Sequence, residues 1–111
     1  IRTLHDLVRD NGRIVNVSSN MGSLTNMGTG YFGYRASKAS INVLSKLLAP
    51  ELAHRGIMVN AVDPGWVRTA MGGTDADRSI EEGAQSLMWA ATLEPGGPSG
   101  GFYRDGEPVA W

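Results

Sequence analysis

Ser19-Asn-Met-Gly-Ser-Leu-Thr-Asn-Met-Gly-Thr-Gly-Tyr-Phe-Gly-Tyr34-Arg-Ala-Ser-Lys38 runs from the end of one apolar segment into the start of a long amphipathic one. Ahead of it, Ile14, Val15 and Val17 form a short, nearly continuous apolar run at residues 13–18. Such a run suits a parallel strand covered on both faces. After it, Ile41, Leu44, Leu48 and Leu52 follow helical spacing, which predicts a helix over residues 34–54. A helix stacks Tyr34 and Lys38 on one face, because side chains four residues apart are neighbours there. A serine at a strand end therefore lies across a glycine-rich loop from a phenol and an ammonium, a set suited to acid–base work on a carbonyl or alcohol.

Working outward, residues 57–62 (Ile57, Val59, Ala61, Val62) read as a second strand. Two strands joined by one long helix form a parallel crossover of right-handed sense. Pro50 lies inside the helix, where it removes a hydrogen bond and crowds the preceding turn, so a kink near Lys46 and Leu47 is expected. Arg55-Gly56 closes the helix. Asp63-Pro64-Gly65 ends the second strand in a turn, and Trp66-Val67-Arg68-Thr69 follows at the sheet edge that also holds Ser19. Residues 71–78 are small and polar, a segment over the site or a plain surface loop.

Ser79-Ile-Glu-Glu82 has capping-box spacing and opens a helix to about Thr92, with Ala84, Leu87, Met88 and Ala91 as its apolar face. Residues 101–104 suit a final short strand and Asp105-Gly106 a turn. At the other end, Ile1, Leu4, Leu7 and Val8 fall on one helical face, and Asp10-Asn11-Gly12 supplies a stop. The apolar residues of the loop (Met21, Leu24, Met27, Tyr31, Phe32) either line a pocket for an apolar substrate or anchor a long loop.

Composition narrows the function. The chain has 111 residues, 41% hydrophobic, with a net charge of −1, so no basic surface points to nucleic acid or anionic lipid. It has no cysteine, which excludes disulfides, thiolate metal sites and a cysteine nucleophile. His5 and His54 have no companion ligands in sequence, so no metal site is expected. No apolar run is long enough for a membrane span, and a cytoplasmic location is the default expectation.

The chemistry is specific enough to state. A carbonyl oxygen that receives hydride at its carbon becomes alkoxide-like and needs a proton. A phenol can donate it, but its ordinary pKa is about 10, and a neighbouring cation favours the phenolate. Lys38 is placed to supply that charge, and Ser19 can hold the same oxygen by a hydrogen bond.

The series strand, serine, glycine-rich loop, Tyr-x-x-x-Lys, helix, strand and Pro-Gly-x-Val-x-Thr resembles the short-chain dehydrogenase/reductase family over nearly the whole chain. Gly12-Arg-Ile-Val-Asn-Val-Ser-Ser19 is similar to that family's fifth strand and catalytic serine, Tyr34-Arg-Ala-Ser-Lys38 to its catalytic tyrosine and lysine, and Asn60-Ala-Val-Asp-Pro-Gly-Trp-Val-Arg-Thr69 to its sixth strand and nicotinamide loop. The resemblance implies an NAD(P)(H)-dependent oxidoreductase in which Ser19 orients the substrate oxygen, Tyr34 transfers the proton, and Lys38 binds the nicotinamide ribose. Pro64, Gly65, Val67 and Thr69, with Tyr34 and Lys38, would hold the cofactor. Ser18 is the lesser choice of serine.

Within the family, Pro64-Gly-Trp-Val-Arg-Thr69, the Glu81-Glu-Gly-Ala84 helix start and the tail to Trp111 resemble carbonyl-reductase-like members, which implies NADP(H) in preference to NAD(H). The implied fold class is α/β: the C-terminal portion only of a Rossmann-like doubly wound parallel sheet. Residues 1–111 would form the C-terminal half of a single NAD(P)-binding domain. The family's Thr-Gly-x-x-x-Gly-x-Gly phosphate loop does not occur here, nor does its catalytic asparagine on the first segment. The chain is therefore expected to bind cofactor weakly and not to turn over alone. Rival readings are an epimerase or dehydratase of the extended family, a non-catalytic dinucleotide-binding module, and self-association through the 34–54 helix; the partner otherwise implied is a small carbonyl or alcohol.

Overall fold

A computed structural model describes residues 4–111. Strand β1 (Arg13–Val17) pairs in parallel with β2 (Met58–Val62), residue for residue from Arg13 opposite Met58 to Val17 opposite Val62. β2 pairs in parallel with β3 (Phe102–Arg104), which turns back antiparallel onto the short β4 (Glu107–Pro108). The sheet order is β1-β2-β3-β4. β2 lies inside it and every one of its residues is buried, which is why Val59, Ala61 and Val62 read as an unbroken apolar run.

Helix α1 (Phe32–Leu52) joins β1 to β2, and α2 (Ile80–Ala91) precedes β3. The two lie on opposite faces of the sheet. On the α1 face, Ile14 packs with Leu44, Leu48, Ala49, Leu52, Ile57 and Val59, and Asn16 bonds Ser45 at 2.9 Å. On the other face, the Arg13 guanidinium reaches the Leu93 carbonyl just past α2, and the ring of Trp89 on α2 packs at a 55° tilt against Tyr103, centroids 4.9 Å apart. A parallel sheet covered on both sides is the expected doubly wound α/β arrangement. Among the described residues, no helix is long and apolar enough to cross a membrane.

α1 starts two residues before Tyr34, so Tyr34 and Lys38 lie within helix rather than at its first residue. It passes through Pro50 to Leu52, continues as a single 3-10 turn (Ala53–Arg55) and stops at Gly56, whose φ is +69°. Its buried face includes Asn42 and Ser45 beside Leu48, Ala49 and Leu52. The Asp105-Gly106 turn has φ of +50° and +80°, the left-handed pair a two-residue hairpin requires.

Two expectations need correction. The described part of the first segment is not an α-helix: it holds one 3-10 turn (His5–Leu7), and Leu4 and Leu7 are exposed. Ile1 lies outside the described residues. Of the described residues ahead of β1, Val8 alone packs on the core. The segment's carbonyls take donors three residues on, Leu7 N on Leu4 and Val8 N on His5, and the Arg55 guanidinium ties the segment down by donating to the carbonyls of His5 and Val8 and pairing with Asp10.

The packed face of α2 also differs. Gly83, Ser86 and Ala90 are buried, whereas Ala84, Met88 and Ala91 are exposed and Leu87 half-buried. The reason is close approach. A Cβ at Gly83 would lie 2.6 Å from a Val67 methyl, and the Ser86 hydroxyl is engaged on both sides, donating to the Asp63 carbonyl (3.2 Å) and accepting from the Asp105 N–H (2.9 Å). Small residues let α2 press on the turn after β2, and hydropathy does not register them.

The capping box forms as the spacing predicts. Ser79 Oγ accepts from Glu82 N at 3.1 Å, and Glu82 Oε1 accepts from Ser79 N at 2.9 Å. Hydrogen bonding to the Ser79 backbone N–H, the largest cause, and to the Ser79 side chain holds the Glu82 carboxyl below the ordinary carboxylate range.

Candidate active site

β1 ends at Val17, and the two serines after it face different ways. Ser18 is buried against α1, where its hydroxyl donates to Asn42 Oδ1 at 2.6 Å. Asn42 Nδ2 has no partner, the one such buried side-chain atom among the described residues. Ser19 is half-buried and caps a single 3-10 turn (Asn20–Gly22), its Oγ accepting from Met21 N at 3.1 Å. Ser18 is thus committed to the interior and Ser19 to the rim of the sheet.

Gly22 brings that turn onto α1. A Cβ there would lie 2.7 Å from the Lys38 carbonyl carbon and 2.8 Å from the Ala39 nitrogen. Only glycine lets the turn after Ser19 rest on the helix at Lys38. Lys38 in turn donates from Nζ to the Val17 carbonyl at 3.1 Å, at the end of β1. The same ammonium lies 5.6 Å from the centroid of the Tyr34 ring, within cation–π range. The helical spacing therefore does what it promised for Tyr34 and Lys38. Ser19 joins them through the loop, with no hydrogen bond between its hydroxyl and that of Tyr34. Tyr34 is 39% exposed.

The loop between Ser19 and α1 is held by groups that sequence reading missed. Arg35, next to Tyr34, donates from Nε to the Gly30 carbonyl (2.9 Å) and from Nη1 to the Met21 carbonyl (3.4 Å). Tyr31, at the helix entry, has φ of +56°, a left-handed conformation uncommon for a non-glycine residue. Three of its apolar residues do not anchor this loop: Leu24, Tyr31 and Phe32 are exposed at 73%, 75% and 86%. Across the rim, Trp66 and Met71 are also exposed.

The turn after β2 is fixed by a buried carboxylate. Asp63, 2% exposed, accepts from Gly65 N on Oδ1 (2.8 Å) and from Arg104 Nε and Nη2 on Oδ2 (3.1 and 2.6 Å). Gly65 has φ of +81°, and Arg78 lies across it, 2.6 Å from where a Cβ would stand. Arg78 also pairs with Asp105 at 2.8 Å, which raises its pKa above the ordinary arginine value. Pro64 and Gly65 are half-buried at the rim; Val67 leans on Gly83; Thr69 Oγ1 accepts from Gly72 N at 3.0 Å. The segment that follows is folded rather than loose: Trp66 Nε1 donates to the Gly72 carbonyl, and Arg68 Nη1 donates to the Ala76 carbonyl. Both clusters, Ser19–Tyr34–Lys38 and Pro64–Thr69, stand at the C-terminal ends of β1 and β2, where open α/β sheets bind ligands.

Helices on both faces of parallel strands, with polar groups gathered beyond the strand ends, define a Rossmann-like α/β domain. Residues 2–80 match the short chain dehydrogenase family, and the chain belongs to that family. It is 45% identical over 84 residues to carbonyl reductase [NADPH] 1 of Oryctolagus cuniculus, a match spanning 70% of this chain and 30% of that one. It is 33% identical over 101 residues to C-signal of Myxococcus xanthus, across 89% of this chain and 61% of the relative. Among solved structures it superposes on the carbonyl reductase Sniffer of D. melanogaster with a TM-score of 0.80 and 36% identity, covering 89% of this chain and 41% of the other. The chain thus spans under a third of the rabbit reductase and under half of the fly one.

Proposed function

We propose that this chain is the reacting portion of an NADP(H)-dependent oxidoreductase acting on a carbonyl or alcohol, with residues 1–111 as the C-terminal half of one dinucleotide-binding domain. The observation that carries the reading is the Lys38 ammonium set 5.6 Å from the Tyr34 ring, at the end of β1 where Ser19 caps the adjoining turn. In reduction, Tyr34 gives its hydroxyl proton to the substrate oxygen as that oxygen gains charge; in oxidation it takes the proton back. Ser19 donates a hydrogen bond to the same oxygen and fixes its place. Lys38 supplies positive charge beside the phenol.

NADP(H), when bound, supplies or accepts the hydride at its nicotinamide ring. The residues present fit the nicotinamide and its ribose. Lys38 uses one of its three donors on the Val17 carbonyl, leaving two for ribose hydroxyls. Pro64, Gly65, Val67 and Thr69 form the facing turn. NADP(H) is favoured over NAD(H) because the rabbit relative is a carbonyl reductase named for NADPH. The exposed Leu24, Tyr31, Phe32 and Met71 suit an apolar carbonyl. The working compartment is the cytoplasm. The outward face of α1 carries Val43 and Leu47, each 58% exposed, a surface on which copies could associate.

The C-signal match supports a second reading, a module without turnover, because that relative is named as a signal rather than a reductase. One experiment separates them. A chimaera supplies this chain with the portions of the rabbit reductase outside the matched segment. NADPH-dependent reduction of an aromatic ketone by the chimaera supports the enzyme. A folded, NADPH-binding chimaera with no turnover refutes it. Titration of the chain alone with NADPH and NADH should show no micromolar binding.

A further inference from the structure

The loop that carries Ser19 is gripped from two sides. Gly22 seats it on α1. The opposite side is held by the last residues of the chain. Ser23, directly after the capped turn, is fully buried; its hydroxyl donates to the Ala110 carbonyl at 2.7 Å and accepts from Asn26 N at 3.2 Å. The Trp111 carbonyl accepts from Thr25 N at 2.8 Å. The Trp111 ring lies 5.7 Å from Phe102 of β3 and 4.7 Å from the Lys46 ammonium on α1. Tail and loop thereby form facing walls of a groove of about 530 Å³ that includes Asn20, Asn26 and Ala110.

We infer that Ala110 and Trp111 form a strap that positions the Ser19–Asn26 loop, with Ser23 and Lys46 as its anchors. The strap rests on the reading of Ser19 as a site residue, and it makes Ser23, Lys46 and Trp111 positioning residues. Three contacts of different chemistry converge on two adjacent residues: a buried hydroxyl, a backbone pair and a cation over a ring. The ring binds the tail to β3 and α1, and the two carbonyls transmit that fixed position to the loop. The spacing between Ser19 and Tyr34 is then set by the far end of the chain as well as by the helix.

Amide hydrogen exchange on the 111-residue chain tests this without any turnover, so its outcome stands apart from the oxidoreductase reading. In Trp111→Ala, the amides of Thr25 and Asn26 should exchange about tenfold faster or more, while those of Val59 to Val62 in β2 keep their rates. Trp111→Phe keeps a ring against Phe102 and should restore most of the protection. Lys46→Met, at an exposed position where substitutions usually change stability little, should accelerate the same two amides about threefold, the size of a lost cation–π contact. Unchanged rates at Thr25 and Asn26 in both Trp111→Ala and Lys46→Met overturn the strap. So does an acceleration shared equally by β2, which would mean a general loss of stability.

Discussion

Gly22→Ala puts one methyl group where the fold has no room. The φ of Gly22 lies outside the left-handed region, so alanine meets no backbone penalty there and the whole effect is steric. The new Cβ would stand 2.7 Å from the Lys38 carbonyl carbon, 2.8 Å from the Ala39 nitrogen and 2.8 Å from Lys38 Cβ. Carbon atoms pack at about 3.5–4.0 Å, so the loop must retreat by about 1 Å. Two of the three obstacles are helix backbone and cannot swing aside. Overpacking of this kind costs about 1–3 kcal/mol, and alanine returns about 0.4–1 kcal/mol by stiffening the unfolded chain. The net expectation is a loss of about 0.5–2 kcal/mol in urea unfolding. In the reductase chimaera, a displacement of about 1 Å between Ser19 and Tyr34 should lower kcat by about a hundredfold. Unchanged stability together with unchanged kcat would show that contact between the turn and α1 does not place Ser19.

Two further perturbations read other parts of the fold. Asp63→Asn leaves Arg104 without its charge partner; because Arg104 is 44% exposed at its side chain, water offsets part of the loss, and urea unfolding should show about 1–3 kcal/mol rather than the larger cost of a fully buried pair. Glu82→Gln tests the α2 cap through pH. The folded-state pKa of Glu82 lies below its unfolded value, so its contribution is present above the ordinary carboxylate range and lost as pH falls through the lowered value. Thermal unfolding from pH 7 down to about 3 should show wild type losing stability that the variant never had, the two curves converging at the acid end; parallel curves would contradict this.

Much of this architecture could be read from residue order, for a physical reason. β1, β2 and both helices announce themselves by local periodicity, and the capping box and the Asp105-Gly106 turn by local chemistry. The Tyr34–Lys38 stack follows from one helical turn. What escaped reading depends on how closely elements approach. The packed face of α2 is made of Gly83, Ser86 and Ala90, which carry little hydropathy and are chosen by the narrow gap to Val67 and Asp63. The buried face of α1 mixes Asn42 and Ser45 with leucines because Ser18, just past β1, and Asn16 within it are their partners. The 3-10 turn at His5–Leu7 is tied to Arg55, more than forty residues away, which donates to the carbonyls of His5 and Val8. The grip of Arg35, Ser23 and Trp111 on the loop is likewise a matter of long-range contact. A serine hydroxyl on the Ala110 carbonyl has no signature along the chain.

The proposed reaction turns on Tyr34 as the group that trades a proton with substrate. Tyr34→Phe in the reductase chimaera removes that hydroxyl and keeps the ring beneath Lys38. It should lower kcat by at least about a hundredfold while the NADPH dissociation constant stays within about twofold. Turnover equal to that of the parent chimaera, with Tyr34 gone, would contradict it.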